Sequence, residues 1–508
     1  MLKNYTFTII ICLLFQTSMF AQTPCEFNSG AGMDMAGIYP CKDYDLMSNI
    51  PVSVLATTLG NEESSDIWGW TDPLNGKEYA IVGMTNSTAF VDVSDPINPI
   101  FLGRIETANG NTSFWRDVKV YNNHAFIVAD LLGDHGVQIF DLTVLRNGPN
   151  ADLTYTSAAN DGNVLRFQGD NGITIGSCHN IVINESEGIA YLVGCGGAAS
   201  GGPVFLDIST PLSPTIVGSY AGKGYTHDAQ VVTYNGPDTE HVGKQIFIGS
   251  NGNSDRVVIL DVTDKSNVVA INEFDYPQIA YAHQGWFTDD HRYFILGDEV
   301  DEQSFGNNTR TLIFDFQDLD ADFNTNTALT TTYLGPTAAI DHNGYVKDDK
   351  FYLANYRAGM RVLDVPTLIS SNNSASEIGY FDTFPTSDSA SFNGAWSVYP
   401  YFNSGNIIIS DIERGLFIVR KSNTLDTPSF EFSNSFTLSP NPTTSNTTIK
   451  ASENIKVNTI EIYNILGQNV FTANNINKQE YVLPVKNYRS GMYLIKINGA
   501  VTKKLIIE

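Results

Sequence analysis

Basic residues are scarce in this sequence. Its 508 residues include 29 Lys and Arg against 55 Asp and Glu, which gives a formal net charge of -26 at pH 7. Proteins that bind nucleic acids or anionic membranes in a general way do so through basic surfaces. The composition therefore argues against both roles, and we expect no nucleic-acid partner.

Long apolar stretches and familiar catalytic motifs are also missing. After the first 21 residues, no segment has the ~20 apolar residues that a membrane-spanning helix needs, so we expect no transmembrane segment. The sequence contains no Gly-x-Ser-x-Gly elbow, no Walker loop and no His-Glu-x-x-His motif. It also has no long amphipathic helix. No complete catalytic motif is therefore present.

The N-terminus has the features of a secretory signal. Residues 1–21 combine a positive end at Lys3 with an apolar run from Phe7 to Phe15 that is too short to span a bilayer. The small residue Ala21 precedes the expected cleavage at Gln22. We therefore predict an exported protein, in which disulfides can form.

Four of the five cysteines remain after this cleavage. We predict two disulfides, Cys25–Cys41 and Cys178–Cys195. If Asn184 pairs with Ile189 across a turn, the same register places Cys178 opposite Cys195. The alternative is a pair of free thiols in a reduced loop.

A short apolar strand recurs along most of the chain. One copy is Thr311–Phe316, which follows two further strands at Ala282–Phe287 and Tyr293–Gly297. Most copies carry one acidic residue, at Asp92, Asp141, Asp207, Asp261, Asp315 and Asp364, while a seventh copy at Leu416–Val419 lacks it. Repeats of this length made of short strands are typical of propeller blades. We predict an all-β protein with a seven-bladed β-propeller over residues 51–420.

The regions flanking the repeats have a different character. Residues 22–50 are predicted to be an irregular segment, and Val52–Gly60 is expected to complete the last blade, which lacks its own closing strand. Residues 421–435 are predicted to be a linker. Residues 436–508 carry eight basic residues against four acidic ones, and their short alternating strands predict a small Ig-like β-sandwich.

The C-terminal region resembles the type A sorting domain of the type IX secretion system in Bacteroidetes. The resemblance rests on the proline pair at Pro440 and Pro442, the segments Tyr463–Gln468 and Gly491–Tyr493, and the basic-apolar end Lys503–Glu508. It implies that the type IX machinery is a partner. It also implies a protein that is secreted or anchored at the outer-membrane surface.

The repeat region resembles the choice-of-anchor B family, whose repeats are of the LVIVD type. The segments that carry the resemblance include Asp66–Pro73, Tyr225–Ala229, His283–Trp286 and Gly394–Pro400. The family implies a β-propeller. It implies no reaction and supplies no catalytic residues, so the catalytic residues are unknown from sequence.

Histidines begin the first strand of four successive repeats, at His179, His227, His283 and His342. First strands surround the axis of a propeller, so we expect these imidazoles to converge at one rim. The rim also receives polar residues from strand starts and ends, namely Arg116, Asp117, Asp228, Asp298, Glu299, Asn355 and Asp411. Such a set predicts a divalent transition-metal site. The alternative is a polar neck filled with water.

A second, weaker candidate is an acidic loop with oxygen ligands at alternate positions, Asp318, Asp320, Asp322 and Asn324. It resembles a calcium loop but lacks the glycine and the distal Glu of an EF-hand, and the alternative is a solvated acidic loop without an ion. Possible cofactors are therefore a transition metal or calcium.

The favoured function is a secreted or surface-bound module that binds a glycan, a protein or a small ligand at the propeller rim. The alternative is a metal-dependent lyase or hydrolase acting on acidic or sugar substrates at the histidine rim. Trp68, Trp286 and Trp396 are candidates for an aromatic wall beside a sugar ring, and the alternative is that they pack within the blades.

Overall fold

The computed structural model describes residues 22–56, 62–108, 110–148, 154–155, 163–252, 254, 256–323, 329–370, 376–422, 436–451, 456–464, 468–474, 476–486, 488–498 and 501–508. The chain divides into two compact units, with the boundary between Ser422 and Asn423. β-Strands dominate both units and the helices are short. The predicted all-β class is therefore confirmed. The predicted signal peptide and residues 423–435 of the predicted linker lie outside the described residues.

The first unit begins with four strands and one helical turn. These elements are β1 (Glu26–Asn28), β2 (Met33–Ala36), β3 (Tyr39–Lys42), β4 (Tyr44–Ile50) and α1 (Val52–Leu55). The prediction of an irregular segment over residues 22–50 is therefore wrong.

Seven consecutive sheets follow in the described residues, each with an antiparallel core of four strands. The first sheet gains a fifth, parallel strand, Thr154–Tyr155, and β1 to β3 extend the sixth. Sheet 1 contains β5 (Ser64–Thr71), β6 (Glu78–Met84), β7 (Ser87–Asp92) and β8 (Ile100–Glu106). Sheet 2 contains β9 (Arg116–Tyr121), β10 (His124–Ala129), β11 (Val137–Asp141) and, after the two-residue strand β12 (Thr154–Tyr155), β13 (Val164–Phe167). A hairpin of β14 (Gly169–Asp170) and β15 (Ile173–Thr174) precedes sheet 3, which contains β16 (Asn180–Asn184), β17 (Ile189–Val193), β18 (Val204–Asp207) and β19 (Thr215–Ser219).

Sheets 4 to 7 repeat this order. Sheet 4 contains β20 (Asp228–Thr233), β21 (Gln245–Ser250), β22 (Val257–Asp261) and β23 (Val269–Phe274), and sheet 5 contains β24 (Ala282–Phe287), β25 (Tyr293–Asp298), β26 (Arg310–Asp315) and β27 (Leu329–Leu334). Sheet 6 contains β28 (Gly344–Lys347), β29 (Lys350–Ala354), β30 (Met360–Asp364) and β31 (Glu377–Phe381). Sheet 7 contains β32 (Ala395–Tyr399), β33 (Asn406–Asp411), β34 (Gly415–Lys421) and the N-terminal β4. Short helices lie at Leu142–Asn147, Ala199–Gly201, α2 (Asp301–Phe305) and α3 (Val365–Leu368).

The first strands of neighbouring sheets contact one another around a closed ring, because β32 of sheet 7 lies against β5 of sheet 1. This is the arrangement of a β-propeller, with the first strands around a central channel. Clusters of apolar side chains fill the space between sheets. Between sheets 1 and 2, for example, the rings of Phe90 and Phe140 stack with centroids 4.6 Å apart. The strands are buried on both faces, which explains their imperfect alternation of polar and apolar residues.

An N-terminal strand closes the ring, but it is not the predicted one. β4 pairs antiparallel with β34, with Ile50 opposite Leu416 and Tyr44 opposite Lys421. The expected strand Val52–Gly60 instead begins with the helical turn α1 after Pro51, and residues 57–61 lie outside the described part. Proline has no backbone N–H for the ladder, so the strand ends before it.

Both predicted disulfides are present. The Cα atoms are 6.0 Å apart in Cys25–Cys41 and 3.9 Å apart in Cys178–Cys195. The second follows from the hairpin register, in which Asn184 lies opposite Ile189 and Asn180 opposite Val193. This bond fastens the chain one residue before His179.

The second unit consists of two antiparallel sheets. They are formed by β35 (Phe436–Ser439), β36 (Asn446–Ala451) and β39 (Glu480–Pro484), and by β37 (Ile460–Asn464), β38 (Asn469–Ala473), β40 (Gly491–Ile497) and β41 (Val501–Ile507). Side chains from both sheets share one core, including Ile449 and Leu483 from the first and Ile462 and Ile495 from the second. This core gives the unit its own source of stability.

Candidate metal centre in the central channel

A small cavity lies where the first strands of the ring begin. Its volume is about 50 Å³, which is room for a few water molecules or one coordinated ion. All four predicted histidines line it, together with Arg116, Asp117, Asp228 and Glu299. The lining also includes Trp396, a candidate for the aromatic wall, and residues that the sequence did not single out for a site, namely Asp66, Trp115, Asn180 and Asn343.

The four histidines form a continuous arc along one side of the cavity. Ring centroids are 4.0 Å apart for His179 and His227, 4.4 Å for His227 and His283, and 4.3 Å for His283 and His342. Each histidine occupies the equivalent position of its repeat in sheets 3 to 6. The repeat geometry alone therefore brings the imidazoles together.

Backbone carbonyl groups set the tautomers of two of these rings. Nδ1 of His227 lies 3.3 Å from the carbonyl oxygen of His283, and Nδ1 of His342 lies 2.5 Å from that of Trp396. A carbonyl oxygen can only accept, so Nδ1 carries the proton and Nε2 keeps its lone pair. This is the form in which histidine binds a metal, with a carbonyl orienting the ring from behind.

Glu299, just after β25, completes the inner end of the arc. Its carboxylate oxygens lie 3.7 Å from Nε2 of His283 and 3.6 Å from Nε2 of His342, and one accepts a 2.9 Å hydrogen bond from the hydroxyl of Tyr356. One ligand atom from each of His283, Glu299 and His342 lies within 4.8 Å of the other two. His179 and His227 extend the arc but lie outside this group of three.

Burial shifts these groups towards their uncharged forms. It lowers the pKa of His227 and of His283 well below the usual value and the pKa of His342 to about 4. Burial also raises the pKa of Glu299 to about 7. The imidazoles are therefore neutral and free to coordinate, whereas a divalent cation would have to displace the proton that Glu299 holds more tightly than a free glutamate does.

Arg116 provides a positive group on the other side of the cavity. Its Nε donates to the carbonyl oxygen of Met84, and its Nη1 lies 3.2 Å from Nε2 of His135. Burial and the guanidinium lower the pKa of His135 to about 3, so His135 is neutral and accepts this bond. Nη2 of Arg116 is buried and has no hydrogen-bond partner within the described part of the chain. It is therefore available to a ligand in the cavity.

His179 lies at the outer end of the arc and is more accessible than the other three. Its Nδ1 lies 2.9 Å from an oxygen of Asp130, which follows β10. Such a carboxylate orients an imidazole in the same way as a carbonyl does.

A polar layer closes the floor of the cavity. Nζ of Lys119 lies 2.6 Å from Asp117 and 3.1 Å from Asp66, and also donates to the carbonyl oxygen of Val118. Asp228 accepts a 2.8 Å hydrogen bond from Asn180. Lys119 is thus the cation that holds the carboxylates of this layer together.

Sequence comparisons match parts of both units. Residues 76–107 and 198–222 match the model of the LVIVD repeat, and residues 437–508 match the model described as a secretion system C-terminal sorting domain. The second unit is a type IX secretion sorting domain. It indicates that the protein is secreted or attached to the cell surface, as the sequence analysis expected.

Other comparisons add little to these two matches. No curated protein sequence matches the chain. The crystal structure of a computationally designed protein, Ika8, is 8% identical with a TM-score of 0.41, and the match covers 70% of this chain and 82% of that one. None of the described helices is long and apolar enough to cross a membrane.

Three predicted rim residues of the LVIVD-repeat unit lie away from the cavity and hold local structure instead. Asp298 accepts from the N–H groups of Ala280 and Tyr281. Asn355 bonds to Thr309 and to the carbonyl oxygen of Ala339. Asp411 accepts from two N–H groups of the turn that follows β33.

The predicted calcium loop is used differently. Asp318 accepts the N–H of Asp320, whose own carboxylate lies 2.8 Å from Nε2 of His241. The side chains that converge there are Asp238, His241 and Asp320, rather than the oxygen ligands at alternate positions of the loop. Asn324 lies outside the described residues.

A larger groove opens beside the cavity and shares Trp115, Glu299 and Trp396 with it. Its volume is about 400 Å³. The aromatic residues Phe114 and Phe392 also line it, and they are 47% and 45% exposed. The adjacent pair Phe114-Trp115 was a signal in the sequence that the repeat pattern did not explain.

The three tryptophans proposed as one aromatic wall are divided between two sites. Trp396 lies at the groove, while Trp68 and Trp286 line a separate pocket of about 340 Å³ with Tyr399 and Tyr401. The prediction of a single aromatic wall built from all three tryptophans is therefore wrong.

Proposed function

We propose that this protein is a secreted binding module whose central channel holds a divalent transition metal at His283, His342 and Glu299. The observation that carries the proposal is the convergence of these three ligand atoms within 4.8 Å. Two imidazoles and one carboxylate are a common ligand set for zinc, iron and manganese, and three protein ligands leave coordination positions open.

The open positions would face the cavity, where a ligand also meets Arg116. Three features support this placement: the Nε2 lone pair of His342 fixed by the Trp396 carbonyl, the hydrogen bond from Tyr356 to Glu299, and the unpartnered Nη2 of Arg116. A carboxylate or hydroxyl group could then bind the metal and the guanidinium together. His227 and His179 would line the path to the metal.

The groove supports a carbohydrate as the ligand. Its lining combines exposed aromatic rings with three carboxylates, Glu63, Glu299 and Glu413, and contains no basic residue. Exposed apolar patches of this kind mark binding sites. Sugar rings offer apolar faces for aromatic side chains and hydroxyl groups for carboxylate acceptors, so a hydroxyl-rich glycan fits this lining better than an acidic chain.

A glycan array tests the binding function. We expect the full chain to bind a defined set of oligosaccharides and expect Trp115→Ala to weaken that binding at least about tenfold, the scale of one buried aromatic contact. Phe27→Ala, at an exposed ring in β1, serves as the matched control and should bind as wild type does. Equal binding by all three proteins, or none by any, would remove the groove from the account.

A second candidate is a metal-dependent lyase or hydrolase acting on acidic or sugar substrates. It is favoured by one observation, the free Nη2 of Arg116 opposite the proposed metal ligands. A guanidinium there would stabilise negative charge that develops on a metal-bound substrate. Turnover of uronates or esters that a chelator abolishes and metal restores would favour the enzyme, and binding without turnover would favour the module.

We also propose the finer organisation of the chain: a signal peptide over residues 1–21, a seven-bladed propeller over residues 51–420 that β4 from the preceding segment closes, a linker over residues 421–435 and an Ig-like fold for the sorting domain. Kinship with the choice-of-anchor B family is proposed on the same basis. The LVIVD matches at residues 76–107 and 198–222 support it.

A further inference from the structure

The pocket that contains Trp68 and Trp286 lies at the second mouth of the central channel, away from the histidines. The first strands supply most of its lining, a few positions beyond the residues that line the histidine cavity. On β5, Asp66 lines the cavity and Trp68 the pocket, and on β24 His283 and Trp286 do the same. The layer around Lys119 separates the two spaces. The pocket is therefore distinct from the proposed metal site.

Edge-to-face contacts hold the aromatic walls of this pocket in place. The buried Tyr345 contacts both tryptophans, with ring centroids 5.6 Å from Trp68 and 5.0 Å from Trp286. Trp68 also packs against Tyr399 at 5.1 Å, and Tyr399 packs against Tyr401 at 5.4 Å. Both tryptophans are only half-buried. The rings are thus fixed by one another, while part of each tryptophan remains accessible to a ligand.

The backbone around the pocket supports the same arrangement. A side chain at Gly69 on β5 would overlap the ring of Tyr399, so the glycine makes room for that ring. The hydroxyl of Tyr401 donates to the carbonyl oxygen of Val346 at 3.0 Å. Nζ of Lys347 donates to the carbonyl oxygens of the two residues on either side of Tyr401. The aromatic walls are therefore a built feature of this end of the channel.

Few polar groups of the pocket remain free to bind a ligand. Nζ of Lys119 uses its three protons on two carboxylates and one carbonyl oxygen, and Oε1 of Gln230 accepts the N–H of Phe287 at 2.8 Å. Most of the other lining residues are aromatic or aliphatic. A sugar that entered the pocket would lose hydrogen bonds to water and regain few, so a hydroxyl-rich ligand is disfavoured.

Glu185 gives the mouth of the pocket a negative charge. It follows β16, is exposed, and makes no ion pair within the described part of the chain. Asp289 lies close enough to Tyr401 to act on it electrostatically. Lys119 is the one basic residue of the lining, and two carboxylates offset its charge. Because the faces of aromatic rings are also negative, the pocket favours a positively charged ligand.

We propose that this pocket binds a small molecule that carries a quaternary ammonium group. Such a cation is attracted to the faces of tryptophan and tyrosine rings. It has no N–H group, so it needs no hydrogen-bond acceptor in the pocket, and Glu185 pairs with its charge at the mouth. The pocket shares no lining residue with the histidine cavity or the groove, so the proposal does not depend on the proposed function.

The size of the pocket limits the ligand. Its volume of about 340 Å³ is at the lower end of the range for small-molecule sites, which is ~300–1,000 Å³. A trimethylammonium group on a short apolar or hydroxyl-bearing body fits this space. Choline and benzyltrimethylammonium are therefore suitable probes.

Calorimetric titration of the full chain with these two probes, at constant ionic strength, tests the proposal. We expect the tighter probe to bind with a Kd of about 1 mM or lower. The neutral isostere of choline, in which a tert-butyl group replaces the trimethylammonium group, is expected to bind at least about fivefold more weakly than choline, because it has no attraction to the ring faces.

Three variants locate the site. Glu185→Gln is expected to weaken binding of the cation about three- to fivefold, the scale of an exposed ion pair. Trp286→Leu keeps an apolar side chain but removes the ring, and is expected to weaken cation binding about fivefold or more. Glu26→Gln, at an exposed position of β1, makes the same change in net charge and should bind as wild type does.

Circular dichroism confirms that each variant is folded, and the exposed Glu185→Gln keeps the test decisive if Trp286→Leu does not fold. Wild-type protein that binds neither probe, or that binds choline and its neutral isostere equally, would overturn the proposal. Unchanged affinity in Glu185→Gln and in Trp286→Leu would also overturn it. Binding that is lost in Trp115→Ala but kept in Trp286→Leu would place the cation in the groove instead and would likewise overturn it.

Discussion

Deletion of residues 437–508 is expected to abolish release of the protein from a bacterium with a type IX secretion system. These residues are the sorting domain, and they form a unit with its own core, so the deletion leaves the core of the repeat unit intact. The truncated protein should accumulate in the periplasm. Immunoblots of periplasm, cell surface and medium measure the effect, which we expect to be nearly complete.

A transfer experiment separates sorting from folding. Residues 423–508 fused behind an unrelated periplasmic protein should carry that protein to the surface or into the medium. If the truncated protein still leaves the cell and the fusion does not, the sorting function does not reside in this unit.

Lys119→Met is expected to destabilise the repeat unit by about 3–5 kcal/mol, because it leaves buried carboxylates without their cation. Lys119 is almost fully buried and lies between Asp66 and Asp117, while Asp228 lies close enough to act on it electrostatically. Methionine fills a similar volume, so most of the loss would come from charge rather than from a cavity. Chemical denaturation of wild type and variant measures it.

The control for this substitution is Lys77→Met. Lys77 is 51% exposed and pairs with Asp92 at 2.7 Å, so its ion pair is largely screened by water and should contribute less than ~1 kcal/mol. Equal stability losses for the two variants would show that the buried layer at Lys119 does not depend on its cation.

Features governed by the repeat were accessible from the sequence. The recurring apolar strand identified the third strands, and equivalent positions in four repeats placed His179, His227, His283 and His342 in one arc. The pairing of Cys178 with Cys195 followed from hairpin register alone. Each of these inferences depends on the periodicity of the backbone, which the spacing of equivalent residues along the sequence shows directly.

Features governed by side-chain direction were not accessible. Asp298 and Glu299 are adjacent in sequence, yet Asp298 turns to backbone N–H groups while Glu299 faces the histidines. Asp411 sits at the expected end of its strand but caps a turn. Strand periodicity predicts where a strand ends, but it does not predict where the side chains at that end point.

The closing strand was missed for a different reason. Both β4 and the segment after Pro51 are apolar enough to pair with β34, and the similarity of Val52–Gly60 to other closing strands favoured the wrong one. The deciding factor was the proline between them, which cannot donate to the ladder. The N–H that Pro51 lacks is therefore the feature of the sequence that favours β4 over the segment after it as the closing strand.

The most direct test of the central claim is the transition-metal content of the full chain, purified without a metal-chelating tag. We expect about one equivalent of zinc, manganese, iron or copper in the wild type and its loss in His283→Ala/His342→Ala. His124→Ala, at a histidine whose Nδ1 faces a loop carbonyl at the start of β10, should retain the metal. Wild-type protein that folds and carries no transition metal, even after incubation with each ion, would contradict the account.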